Sequence, residues 1–180
     1  MTKYIAFLRA INVGGHTVKM DRLRGIFESL GFSNVETLIA SGNVIFDSKS
    51  KDESLLVKMI EKKMKEELGF EASTFLRSIA ELAEIANHQP FPKSQMDSAT
   101  ALNIAFLSAP LDDKSKKLLM ALKSDIDDFH VHGREVYWLC LNKQSESKFS
   151  NVVLEKTLGR KSTLRGLNTV RKMAEKYAVK

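Results

Sequence analysis

The sequence predicts an α+β chain built from two tandem copies of one β-α-β-β-α-β unit. Two matched apolar runs, two turn-punctuated hairpins and two closing strand-helix pairs predict it. The first run is Tyr4-Ile5-Ala6-Phe7-Leu8-Arg9, and Leu102-Asn103-Ile104-Ala105-Phe106-Leu107 is nearly its twin. A recurrence of this kind governs the architecture, so it is read before any single element.

After the first run, Met20, Leu23, Phe27 and Leu30 recur at helical spacing, and Gly31 is placed to stop that helix. Val35–Ile39 and Val44–Phe46 then flank Ala40-Ser41-Gly42-Asn43. Gly and Asn tolerate the positive φ that tight hairpin turns require. A second helix is expected from about Asp52 to Leu68, with Leu56, Met59, Ile60 and Met64 inward and Gly69 as its stop. Ser73–Arg77 closes the unit as a strand and leads into a helix carrying Ile79, Leu82, Ala83 and Ala86.

The order then repeats. Asp112 is a natural N-cap before Leu118, Leu119 and Leu122. Phe129–Val131 and Glu135–Trp138 form a hairpin around His132-Gly133, and a helix runs from Ser150 to Leu158-Gly159. Ser162–Arg165 is the closing strand, followed by Val170, Met173, Ala174 and Tyr177 at helical spacing. The segment from Asn87 to Lys93 holds two of the three prolines and no helical period. The expected division is therefore a first subdomain at 1–87, a linker at 88–98 and a second subdomain at 99–180.

This topology is that of the ferredoxin-like fold. Right-handed crossovers give the strand order 4-1-3-2, with all neighbours antiparallel and both helices on one face. The other face of such a sheet is ordinarily polar. Here Tyr4, Ala6 and Leu8 alternate with Ile5 and Phe7, so both faces of the first strand are apolar, and the second copy repeats the pattern. Both faces need cover, and the two units are expected to form one compact body.

Composition bounds the function. The 180 residues are 43% hydrophobic and 28% charged, ordinary for a folded globular protein. Cys140 is the single cysteine, so no internal disulfide or cysteine-rich metal site can form. The N-terminal apolar run ends at Arg9, too short for a secretory signal, and no run reaches membrane-spanning length. A cytoplasmic protein without a membrane partner is expected. The net charge of +6 is concentrated: residues 141–180 hold ten Lys/Arg against three acids. Arg160, Lys161, Arg165, Arg171 and Lys172 are expected to form a basic surface that favours an anionic partner, nucleic acid included.

The topology brings the loop after the first strand to the same end as the first hairpin. Arg9, Asn12, Gly14 and Gly15 should meet Ser41, Gly42 and Asn43 there, a polar, glycine-rich cluster able to bind an anion through backbone N–H groups. Gly14-Gly15 matches no dinucleotide or P-loop fingerprint, and by spacing alone a tight strand-to-helix turn explains it better than a ligand site does. Asp128, His130 and His132 alternate on one strand, a weak three-ligand pattern, but polar residues on an edge strand ordinarily face water. No metal and no cofactor are expected. Cys140 lies on an apolar strand as a core residue, and His16 and His88 have no evident acid partner. Asp112-Asp113 and Asp127-Asp128 are sequence neighbours that diverge or cap. Tyr137 and Trp138 are adjacent and face opposite ways, so the aromatic platform of an RRM cannot form.

Taken together, Leu8-Arg9-Ala10-Ile11-Asn12-Val13-Gly14-Gly15, Ser41-Gly42-Asn43-Val44-Ile45-Phe46, Phe149-Ser150-Asn151, Glu155, Leu158-Gly159, Thr163, Arg165 and Asn168-Thr169-Val170 resemble a bacterial family classed as a domain of unknown function. The resemblance covers nearly the whole chain. It implies tandem ferredoxin-like units and brings no established activity, substrate or cofactor. Two positions depart from the family pattern: Ala40 stands where Gln is frequent, and Gly166-Leu167 where Asn-Trp is frequent. The expected function is binding of an anionic ligand. The alternative is an enzyme acting on a small phosphate- or carboxylate-bearing substrate at the Gly-Gly loop end, with no catalytic residue assignable.

Overall fold

In β1 (Thr2–Leu8) the residues from Tyr4 to Leu8 are all buried, as the apolar character of both its faces demands. The structure, a computed structural model, describes residues 1–11, 17–38 and 42–178. They divide into two units, Met1–Leu82 and Ala83–Lys180.

The first unit continues with α1 (Met20–Ser29), β2 (Ser33–Leu38), β3 (Asn43–Ser48), α2 (Glu53–Leu68) and β4 (Thr74–Ser78). Its four strands lie in the order β2-β3-β1-β4, every pair antiparallel. That is the expected ferredoxin-like order. Local chemistry sets the boundaries. The Asp52 carboxylate accepts from the Leu55 N–H at 3.1 Å to start α2, and Gly69 at φ +78° ends it. Tyr4, Ala6 and Leu8 face Leu23, Phe27, Leu56, Ile60 and Met64 from the two helices. Phe32 stacks on Phe46 at 4.3 Å between ring centroids, and Phe27 meets Phe46 at 5.5 Å. Each such fully buried side chain stabilises by about 1.5–3 kcal/mol over leaving it in water.

Helix α3 (Ile79–Asn87) begins in the first unit and enters the second. The second unit then runs α4 (Lys93–Ser98), β5 (Ala101–Phe106), α5 (Asp113–Met120), β6 (Asp127–His132), β7 (Glu135–Cys140), a 3-10 turn at Gln144–Glu146, α6 (Asn151–Leu158), β8 (Thr163–Gly166) and α7 (Leu167–Lys176). The sheet order β6-β7-β5-β8 repeats that of the first unit. Asp112 caps α5 as expected, Ser150 caps α6, and Gly159 at φ +66° ends α6. Ala105, Leu107, Phe129, Trp138 and Cys140 meet Leu119, Phe149 and Leu154 in the core. Leu118, the neighbour of Leu119, is 44% exposed. Adjacent helical residues point about 100° apart, so only Leu119 of the pair reaches the sheet.

The duplication extends to a buried charge. Arg77 lies opposite Ile5 on β1, and Arg165 lies opposite Ile104 on β5. Both side chains are buried, and each Nη1 donates at 2.8 Å to the preceding residue's carbonyl, Leu76 or Leu164. Residues 88–98, expected as a linker, hold α4 and pack within the second unit. Pro90 and Phe91 are buried, and the Gln95 amide donates to Asp128 on β6 at 2.8 Å. No helix among the described residues is long and apolar enough to cross a membrane.

Candidate functional site

The expected end-cluster of the first unit is partly described. Asn12, Gly14, Gly15 and Ser41 lie outside the described residues. Gly42 meets the end of β1: its carbonyl accepts from the Leu8 N–H at 2.8 Å. A Cβ on Gly42 would lie 2.7 Å from Ile11 Cγ2, and φ there is +75°, so the position requires glycine on two counts. Asn43 is buried, and its amide donates to the Leu38 carbonyl at 3.2 Å, across the hairpin mouth. Arg9 is half-buried, and its backbone N–H donates to Ser73 at 2.9 Å. Gly42 and Asn43 thus build the turn.

The basic surface is not one surface. Arg165 is buried, its Nη1 donating to Thr163 Oγ1 at 2.7 Å, and burial pushes its pKa down to about 10. Alternation along a strand whose faces are both covered puts it inside. Arg160 donates to the Ala109 carbonyl at 3.4 Å, beyond the C-terminal end of β5. Arg171 lies near the N-terminal end of β5, with Ala101 and Leu102, and its Nε donates to Ala86 at 3.4 Å. Lys161 and Lys172 are exposed beside these two. The charges are therefore split between the two ends of β5.

At the Arg171 end there is a cleft of about 470 Å³ in the second unit. Lys93 at the start of α4 and Arg171 on α7 supply positive charge, and Asn87, Gln89, Thr100 and Asn168 supply polar groups. Among the described residues, Asp97 is the only acid lining it. Leu167 and Asn168 are the first residues of α7, whose N-cap, Gly166, offers no side chain to its N–H groups. The positive end of the helix dipole therefore borders this region. Asn168 comes from the Asn-Thr-Val motif, whereas the cleft as a whole gathers residues from four stretches of chain that no local pattern joins.

Beside it, His88, His130 and His132 come together, each offering a ring nitrogen within 4.8 Å of the others. The pattern seen in the sequence was Asp128, His130 and His132. The structure replaces the acid with His88, because the Asp128 carboxylate is engaged by Gln95, by Lys123 at 3.5 Å and by the Phe129 N–H. Burial holds the pKa values of His88 and His130 below the usual imidazole range, and the neighbouring histidines add to the effect. Burial thus favours the neutral form of both rings, in which each has one nitrogen lone pair.

Cys140 is buried, and burial pushes its thiol pKa up, so it is a core residue and no nucleophile. Trp138 lies in the helix-side core while Tyr137 bonds on the other side of the sheet, so no aromatic platform forms.

Comparison with a solved structure agrees with this fold. The family described as "Protein of unknown function (DUF1697)" matches residues 1–137. The chain belongs to the DUF1697 family. It is also similar in structure to the conserved bacterial protein SP0830 from Streptococcus pneumoniae, with a TM-score of 0.80, 24% identity and 98% of each chain covered. That likeness shows the fold. None of the curated proteins compared with the chain matches it. Asn168 and Arg171 lie beyond the residues that match DUF1697.

Proposed function

We propose that this DUF1697 protein binds a small anionic ligand, phosphate- or carboxylate-bearing, in the cleft of its second unit. The observation that carries the reading is the pairing of Lys93 and Arg171 across a 470 Å³ cleft that also holds the start of α7. A cleft of that volume suits a metabolite-sized ligand held by a few polar groups. Two cations against one acid favour an anion. The turn-building roles of Gly42 and Asn43 move the reading away from the first unit's end-cluster. The single, buried Cys140 supports a reducing, cytoplasmic setting.

A thermal-shift screen of phosphate- and carboxylate-bearing metabolites tests it. The expected result is stabilisation by one ligand class, lost in Arg171→Ala and Lys93→Ala. Stabilisation that survives both substitutions, or none with any ligand, would overturn it. Filter binding of RNA and DNA at rising salt addresses a nucleic-acid ligand. Phosphate-driven binding must weaken steeply with salt.

A further inference from the structure

We propose that His88, His130 and His132 form a binding site for a divalent transition-metal ion of the zinc class, with three imidazole ligands and a further position open to solvent. The proposal stands apart from the anion reading. His88 borders the cleft, but His130 and His132 do not line it.

The sheet supplies two ligands. His130 and His132 are two residues apart on β6, so their side chains leave the same face of the strand. That strand is the edge of its sheet, so the ligands are reached from solvent. The third ligand is brought by a fixed segment. The His88 N–H donates to the Glu84 carbonyl at 2.9 Å, continuing the last turn of α3. The Tyr137 hydroxyl holds the Ile85 carbonyl, and Phe91 packs edge-on against His130 with 6.2 Å between ring centroids.

The distances suit one ion. His88 Nε2 and His130 Nε2 are 3.0 Å apart, one donating its proton to the other, and a bound ion would take the place of that proton, which leaves to solvent. Two nitrogens on one tetrahedral zinc, each at about 2.0–2.1 Å, stand about 3.4 Å apart. The pair needs to open by only a few tenths of an ångström. The His132 ring stacks on His88 at 3.9 Å, tilted by 11°, and is exposed. One of its ring nitrogens lies within 4.8 Å of those of His88 and His130.

The donor set selects the metal. Three imidazoles without a carboxylate suit zinc, copper, nickel or cobalt and reject magnesium and calcium, which demand oxygen. A three-histidine set also leaves the open coordination position that structural four-ligand sites lack. The ring of Tyr137, its centroid 5.4 Å from that of His88 and 6.2 Å from that of His130, walls one side of the site.

The test is a titration of the tag-free, chelator-treated full chain with Zn²⁺ by calorimetry and with Co²⁺ by visible absorption. One equivalent is expected to bind, with Co²⁺ d–d bands that Zn²⁺ abolishes and excess Mg²⁺ leaves in place. His130→Ala and His132→Ala should each weaken binding by more than about a hundredfold, since even outer-shell partners of a metal are worth 10- to 100-fold. The exposed His132 can be replaced without a folding defect, which circular dichroism checks. His16→Ala should leave the affinity unchanged. Absence of saturable one-equivalent binding, survival of binding in His132→Ala, or its loss in His16→Ala would each overturn the proposal.

Discussion

The Tyr137 hydroxyl donates a 2.9 Å hydrogen bond to the Ile85 carbonyl, joining β7 to the end of α3 inside the second unit. Both residues are buried, and burial together with nearby Glu135 pushes the phenol pKa far up, so the donor stays protonated. The bond fixes the chain three residues before His88. Tyr137→Phe leaves the Ile85 carbonyl buried without that donor and should cost about 1–2 kcal/mol in urea unfolding. An unchanged midpoint would mean that the segment is held by its apolar contacts alone.

The buried Asp127 organises the other side of the same sheet. Its Oδ1 accepts from the Trp138 indole at 2.8 Å, and its Oδ2 accepts from Ser147 Oγ at 2.6 Å. Asp127→Ala strands both donors and should destabilise by about 2–3 kcal/mol. Asp127→Asn keeps an acceptor for the indole and should cost less. Trp138 is the only tryptophan, so its fluorescence reports the change directly.

Two glycines with the same backbone sign make a controlled comparison. Gly42 and Gly69 sit at φ +75° and +78°, but only Gly42 has atoms crowding the missing Cβ. Gly69→Ala should cost about 1–2 kcal/mol from backbone strain alone. Gly42→Ala adds the contact with Ile11 and Leu8, and about 2–4 kcal/mol is expected. Equal losses in thermal unfolding would show that the hairpin mouth moves aside.

Asp47 sets an acid-side prediction for the first unit. Burial raises its pKa, but the Asn34 amide at 2.7 Å, Lys3 at 2.9 Å and the N-terminal charge outweigh it, and the carboxyl ends below its usual range. The unfolded chain therefore binds the proton more readily. The resulting stability is complete above about pH 5 and is lost as pH falls through the folded-state pKa. Asp47→Asn should lower stability at pH 7 by about 0.5–1 kcal/mol, the range of a surface ion pair. The difference from the native protein should vanish near pH 2; a gap that persists there would assign it to packing.

The resemblance of Tyr4–Leu8 to Asn103–Leu107 made the duplication legible, and Gly31, Gly69, Asp112 and Gly159 marked element ends because caps and stops act over one turn of chain. Which of the adjacent Leu118 and Leu119 turns inward was not legible, because it depends on how α5 is rotated against its sheet. Arg165 counted as a surface charge because charge is visible in sequence and burial is not.

The sequence by itself determined two antiparallel units, their strand order and the glycine-dependent first hairpin, since propensity, periodicity and turn chemistry are local or repeated. Only the tertiary structure decided that residues 88–98 belong to the second unit and that His88 joins His130 and His132. It alone set Lys93 and Arg171 around one cleft. These residues lie tens of positions apart, and what unites them is the path of the backbone across β6 and α7, fixed by bonds such as Tyr137 to Ile85 that leave no periodic trace in the chain.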